Sequence, residues 1–314
     1  MKLLNKYLEF AVFLMLSSGL ITCSSAGSNE NAVAKIDWDK FADYWYAGKA
    51  EITRYALEQA RYGEIRKGEA VLIFVTENFL TDKQVKHEFG ESENATTVLK
   101  LNFVRKFYTG IYPYSMMSSI FTPVDVSRWP TLKVTTTSQE WCGHTFTQFN
   151  HRDDKYKVQL RSYFQREGDQ DFEVKSTLLE DEIWTKIRLA PNSLPTGEIE
   201  IIPGTQFSRF RHTELKPEKA TAALKTEKDQ SLSSTELQVY TIDYETLERK
   251  LVIRFEKELP FKIVAWEEHH TSGYGPGAEV MTTRAVKTHS VYTDYWTKNK
   301  KSDSHWREKL GLIY

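Results

Sequence analysis

The sequence predicts a mainly β protein, built as one large curved antiparallel sheet or half-barrel with one to three short helices. Three observations lead there. The 314 residues include 17 Phe, 16 Tyr and 8 Trp, with frequent Thr and Val, side chains that fit a pleated, half-buried surface better than a helical bundle. Runs such as Lys157-Val158-Gln159-Leu160-Arg161-Ser162-Tyr163-Phe164 alternate polar and apolar residues, as antiparallel strands with one wet face do. Successive strand signals are not separated by long helical patterns, which argues against a doubly wound α/β domain.

The first element, residues 37–48, opens with a capping Asp, sets Trp38, Phe41, Tyr44 and Trp45 on one helical face and ends at Gly48, so a short helix packed on a sheet is expected. Residues 51–61 suit a helix by propensity and a strand by the alternation of Thr53, Tyr55, Leu57 and Gln59. The strand is preferred, because residues 62–68 then read as a hairpin loop. Further strands are expected at 70–77, 98–107, 132–137, 144–149, 156–165, 198–202, 206–215, 237–244, 250–256, 261–270 and 280–292, with Gly, Pro, Asn or Asp in the separators. Residues 178–189 form the best internal helix, closed by Pro191, and residues 305–313 suit a short terminal one. About eleven strands in one meander must curl or close. The domain is read as 36–314, and a division into two subdomains near residue 127 stays open at this point.

The first 22 residues have the layout of a secretory signal. Residues 1–9 carry Lys2 and Lys6, residues 10–21 are an apolar run, and Leu20-Ile21-Thr22-Cys23 follows. The run is short for a membrane span, which needs about 20 apolar residues. Leu20 to Cys23 resembles a lipobox, with Thr22 where a smaller residue is usual. Cys23 is therefore expected to be lipidated and to become the mature N-terminus, tethering the chain to a membrane. Several acyl chains make such anchoring stable where one is marginal. Residues 23–35 are small and polar, a flexible tether, and Ser24 resembles the outer-membrane choice of bacteria that sort lipoproteins by that position.

The chain is 27% charged with a formal net charge of −1; loss of residues 1–22 removes two positive charges and one negative, leaving −2. So balanced a chain lacks the excess of Lys and Arg that a nucleic-acid surface uses to displace counterions. Glu140, Cys142 and His144 bring a carboxylate, the only thiol of the mature body and an imidazole together. On one strand they would share a face, and His144 could activate Cys142 while Glu140 orients it. The plainer reading of a lone Cys is a small buried hydrophobe, and with Cys23 lipidated no disulfide is expected. His269 and His270 are of metal-ligand type, but neighbours on a strand point to opposite faces, so at most one could serve a site. Residues 108–117 form a polar-aromatic stretch with Met116 and Met117, suited to core packing or to a pocket wall. No nucleotide, hydrolase or metalloprotease motif is present, and no cofactor is called for.

Arg61-Tyr62-Gly63-Glu64, Leu99 to Phe103, Gly110 to Met117 and Gln139 to His144 together resemble an uncharacterised family of Bacteroidota lipoproteins, over the whole mature domain. Some members carry the label septum formation inhibitor Maf, whose α/β enzymes have an N-terminal Ser-x-x-Arg-Arg loop that this chain lacks. At fold level the expected sheet is similar to periplasmic half-barrels of the LolA kind. The resemblance implies an envelope lipoprotein and brings no activity. Binding of an apolar ligand or envelope protein on a concave sheet is the leading expectation. An enzyme using Glu140, Cys142 and His144, or a structural role in envelope assembly, are the alternatives.

Overall fold

The computed structural model describes residues 38–126 and 130–312; the expected signal, Cys23 and the tether lie outside the described residues. The described chain starts with helix α1 (Trp38–Trp45), then β1 (Ala50–Arg61), β2 (Glu64–Leu80), a two-residue β3 (Val85–Lys86), β4 (Ala95–Thr109), β5 (Tyr112–Pro123), β6 (Lys133–Glu140), β7 (Gly143–Arg152), β8 (Lys155–Ser162) and β9 (Gln170–Lys175). The second half holds β10 (Leu178–Leu179), helix α2 (Glu180–Leu189), β11 (Gly197–Ile202), helix α3 (Thr205–Arg211), β12 (Glu218–Glu227), β13 (Leu237–Tyr244), β14 (Arg249–Glu256), β15 (Ile263–Ser272), β16 (Glu279–Thr293) and helix α4 (His305–Lys309).

All sixteen strands belong to one sheet in the order β10 to β16, then β1, β2, β4 to β9, with β3 beside β2. Every pairing is antiparallel except the short one between β10 and β11. The sheet is mainly β meander, as expected, and it is not closed into a barrel. Its two edge strands, β9 and β10, are nevertheless neighbours in the chain, joined only by Ser176 and Thr177. Laid flat at about 4.8 Å per strand, those edges would lie about 65 Å apart, whereas a link of two residues reaches about 11 Å. The sheet must therefore roll nearly into a cylinder. The strands on either side of residue 127 lie in this one sheet, β5 pairing with β6 from Phe121 opposite Lys133 to Ser115 opposite Gln139.

Alternation decides what lines the interior. On β4, Leu99, Leu101, Phe103, Arg105 and Phe107 point inward and Lys100, Asn102 and Lys106 outward. On β5, Tyr114, Met116, Ser118 and Ile120 do the same, and Phe107 stacks on Tyr114 at 4.7 Å between ring centres. Rolled around these side chains, the sheet encloses α2 and α3, nearly every residue of which is buried.

Several sequence expectations change. Residues 206–215 are not a strand: α3 begins at Thr205, whose backbone N–H donates to the Asp181 carboxylate at 2.9 Å, and ends at His212 in the left-handed conformation. Because α3 is enclosed on all sides, its apolar residues show no helical stripe to read. The hairpin after β1 is shorter than residues 62–68. Its turn is Tyr62 and Gly63, both at positive φ (57° and 73°), the two-residue geometry that matches strand twist. The strands β5, β9 and β12 and the two-residue β3 and β10 are additional, and there are four α-helices among the described residues, where at most three are expected.

Burying α2 places Glu180, Asp181, Glu182 and Arg188 in the core. Arg188 makes two hydrogen bonds of 2.8 Å to Glu51 on β1 and a third of 2.7 Å to the Pro260 carbonyl, with its guanidinium 4.5 Å from the Phe74 ring centre. Tyr44 of α1 donates to the same carboxylate. Arg249 pairs with Glu180, which also accepts from Tyr244 at 2.6 Å. Arg105 binds Glu268 at 2.7 Å and Gln59 at 3.1 Å. Although burial alone would raise the Glu268 pKa, Arg105, Arg249 and His270 hold it down at about 2.

Removing one member of a buried pair leaves the other charged without a partner, a loss of about 3–5 kcal/mol. Arg188→Met is thus expected to lower the unfolding free energy by that much in urea titrations, and adding Glu51→Leu to recover most of it. A double variant as unstable as the sum of the singles would show that the pair itself is not the stabilising unit.

Asp181 behaves differently. Burial, reinforced by the neighbouring charge of Glu180, pushes its carboxyl up to about 7, and the hydrogen bonds from Thr205 and the charge of Arg249 offset this only in part. The folded state favours protonated Asp181, so this contribution is full below about pH 4, the unfolded carboxyl's range, and is lost as pH rises through about 7. Asp181→Asn keeps the shape and cannot ionise. Its melting temperature relative to the native chain should rise from pH 5 to pH 8, by the equivalent of at least about 1 kcal/mol; a flat difference across that range would remove the assignment.

Candidate functional site

One end of the rolled sheet, here called the rim, carries six hairpin connections side by side among the described residues, the first of them after β13 and the other five forming the site. These five follow β15, β1, β4, β6 and β8, whose strands run adjacent in the sheet. The opposite end, the base, is where the described chain begins with α1.

The rim connections touch one another. The Gly63 N–H donates to Ser272 Oγ at 3.1 Å, the Tyr112 hydroxyl lies 3.5 Å from that of Tyr62, and Tyr62 and Tyr114 hydroxyls are 2.9 Å apart. Arg61 ties them together by donating to Tyr62 and Tyr114 at 3.0 Å each and to the Phe210 carbonyl at 2.7 Å. Gly143 lets the Tyr163 ring approach so closely that a Cβ there would sit 2.7 Å from it. Around this ring project Tyr62, Tyr108, Ile111, Trp141, Tyr163 and Tyr274, with Ile111, Trp141 and Tyr163 at least 70% exposed.

Beneath the tips runs a polar relay. The Glu140 carboxylate is paired with Arg209 of α3. Arg209 Nη1 lies 3.2 Å from His212 Nε2, and His212 Nδ1 lies 2.7 Å from Glu167, which also accepts from Ser162. Arginine has only donors, so His212 Nε2 accepts and its Nδ1–H donates to Glu167. Partial burial would raise the Glu167 pKa, but His212, Ser162 and the charge of Arg209 hold it below the usual range. A slot of about 420 Å³ opens beside this relay, with Leu160, Phe172, Val174 and Leu215 in its lining.

The structure places the sequence-predicted residues as follows. Glu140, Cys142 and His144 do not share a strand face, because Trp141 and Cys142 form the turn between β6 and β7 and Glu140 pairs with Gly143. Glu140 points into the relay, while Cys142 and His144 are exposed. The carboxylate that a Cys-His mechanism would use is already engaged by Arg209, and among the described residues no hydrogen bond joins the three. His269 and His270 do alternate across β15. His269 Nδ1 lies 2.8 Å from Thr282 Oγ1; His270 is buried, donates to the Thr271 carbonyl at 3.0 Å and has its pKa pushed down by burial. Among the described residues no group of three or more His, Cys, Asp and Glu is arranged to hold a metal. The concave face, offered by the sequence reading to an apolar ligand, is occupied by α2 and α3.

No protein-family model, curated protein or solved structure matches the chain. The site therefore rests on its own geometry. The segments around Arg61, Tyr112 and Glu140, far apart in the chain, meet at the rim. Arg209, His212 and Glu167 were not legible as a group, since 45 residues separate Glu167 from His212 and neither lies in a recognisable motif.

Proposed function

We propose that this protein is a membrane-anchored lipoprotein of the cell envelope, held by lipid on Cys23 and sorted to the outer membrane by Ser24, and that it works as a binding module. The observation that carries the binding role is the contiguous set of exposed aromatic and aliphatic side chains at the rim. Water-exposed rings gathered on neighbouring turns are costly for solubility, and such patches mark interaction sites. Tyr and Trp combine a large apolar face with a hydrogen-bonding edge, and they lose little rotamer freedom on binding. The relay beneath holds the turns in place, which favours recognition by a rigid surface. The binding partner is an envelope component offering an apolar face, with the slot beside His212 able to take a protruding apolar group.

The module reading is tested on the lipidated protein purified from its own envelope in mild detergent and examined by native mass spectrometry. The native chain should carry a lipid or protein component that Trp141→Ala with Tyr163→Ala loses by on the order of tenfold. Because both rings are exposed, the variant's stability should change by less than about 0.5 kcal/mol. Equal retention by the variant, or a native chain that emerges bare, would overturn the rim as a binding site. The anchor has its own test: Cys23→Ser should abolish incorporation of labelled palmitate, and undiminished labelling would refute lipidation at Cys23.

A further inference from the structure

At the base, on the outer face of the sheet, lies a cleft of about 540 Å³ lined by Lys83, Lys133, Arg152 and Lys157 together with Gln148 and Asn150. Asp171 and Glu173 form part of the facing wall, but Arg161 grips Asp171 with two hydrogen bonds of 2.9 Å and Lys155 binds Glu173 at 2.9 Å. Among the described residues none of the four cations makes an ion pair within 4.0 Å. Glu173 also stands opposite Lys157 in the strand register, so two carboxylates, already engaged by Arg161 and Lys155, face four cations, and the residual positive charge favours entry of an anion.

The cleft is built as well as charged. Gln84 is buried and held at positive φ (53°), and it donates to the His151 carbonyl at 2.6 Å while accepting from Asn150 at 2.6 Å. Asn150 in turn accepts from Gln148 at 2.7 Å. Two cations are pinned by backbone carbonyls of the turn after β2: Lys133 donates to Gln84 at 3.2 Å and Arg152 to Thr81 at 2.8 Å. Partial burial and the neighbouring charge of Arg152 push the Lys133 pKa down, the direction expected where a cation lacks its counter-charge. A residue strained in the left-handed region beneath a site is often kept there by function.

We infer that this cleft is a binding site for a phosphate group. A guanidinium and three ammonium groups around a floor of amide donors match the charge and hydrogen-bonding capacity of a phosphate monoester or diester. The same chemistry is offered by an anionic lipid headgroup and by a free phosphate compound. The site is independent of the rim.

The test uses the unlipidated mature chain, residues 23–314 with Cys23→Ser, which contains the whole sheet and its core. Inorganic phosphate binding is followed by calorimetry, and vesicle binding by co-sedimentation with phosphatidylcholine vesicles with and without phosphatidylglycerol. Lys83→Gln with Lys157→Gln is the principal variant, because neither side chain supports the fold; Lys133→Gln with Arg152→Gln is the second. Binding of phosphate, of phosphatidylglycerol vesicles or of both, weakened by added salt and on the order of tenfold by either variant, supports the site. Phosphate alone identifies a free phosphate ligand, and vesicles alone identify a headgroup. Absence of both, or binding that the Lys83 and Lys157 changes leave intact, overturns the inference whatever the rim is found to bind.

Discussion

The fold depends on enclosing a charged helix in a sheet. α2 carries Glu180, Asp181, Glu182 and Arg188 within ten residues, and the rolled strands leave none of them in water. Desolvating such groups is affordable only where each meets a partner of opposite charge or several hydrogen bonds. The Thr131 N–H, in the segment before β6, donates to Glu182 at 3.2 Å, and the strands supply the charged partners, Glu51 from β1 for Arg188 and Arg249 from β14 for Glu180. These partners lie on strands distant in sequence, so the charges of α2 fix which parts of the sheet face it. Apolar packing alone would tolerate rotation or sliding of the helix; bidentate pairs do not.

The same constraint explains why the sheet rolls but does not close. The chain leaves β9, crosses in two residues to β10 and turns at once into α2. The seam between the edge strands is thus the entrance by which the helix gets inside, and a ladder of hydrogen bonds across it would exclude the crossing. β9 meets the hazard of an open edge with outward charges, Asp171 held by Arg161 and Glu173 by Lys155. β10, at two residues, is too short to template another strand.

Alternation made most of the fold legible. Where one face of a strand is wet, as on β8 or β13, the period of two is visible and the expected spans fall on the observed strands. It fails where burial is complete or propensity opposes the sheet. β12 reads Glu-Lys-Ala-Thr-Ala-Ala-Leu-Lys, a helix-forming composition that its two neighbouring strands override. α3 is buried on all sides and offers no stripe. At the rim, Trp141-Cys142-Gly143 falls between two alternating runs, expected at 132–137 and 144–149, and the hairpin turn there removes the shared face that Glu140, Cys142 and His144 would have had on a single strand. Glu140 instead pairs with Arg209, on an element that sequence alone made a strand.

With the interior committed to α2, α3 and their ion pairs, the molecule has its two ends and its outer face to meet other molecules. The ends differ in chemistry. At the rim the exposed side chains are mostly aromatic and the charges lie beneath, each engaged by a neighbour; at the base cleft four cations outnumber two carboxylates, which Arg161 and Lys155 already hold. Both arrangements oppose folding economy, since exposed rings and unneutralised lysines each make the isolated domain less favourable than a sequence with polar tips and paired charges would. The strands that join the rim turns to the cleft, β6, β7 and β8, are 8, 10 and 8 residues long, about 26–33 Å at the rise of an extended strand. With α2, α3 and their ion pairs filling the interior, each of these surfaces must carry its own chemistry rather than borrow the concave face.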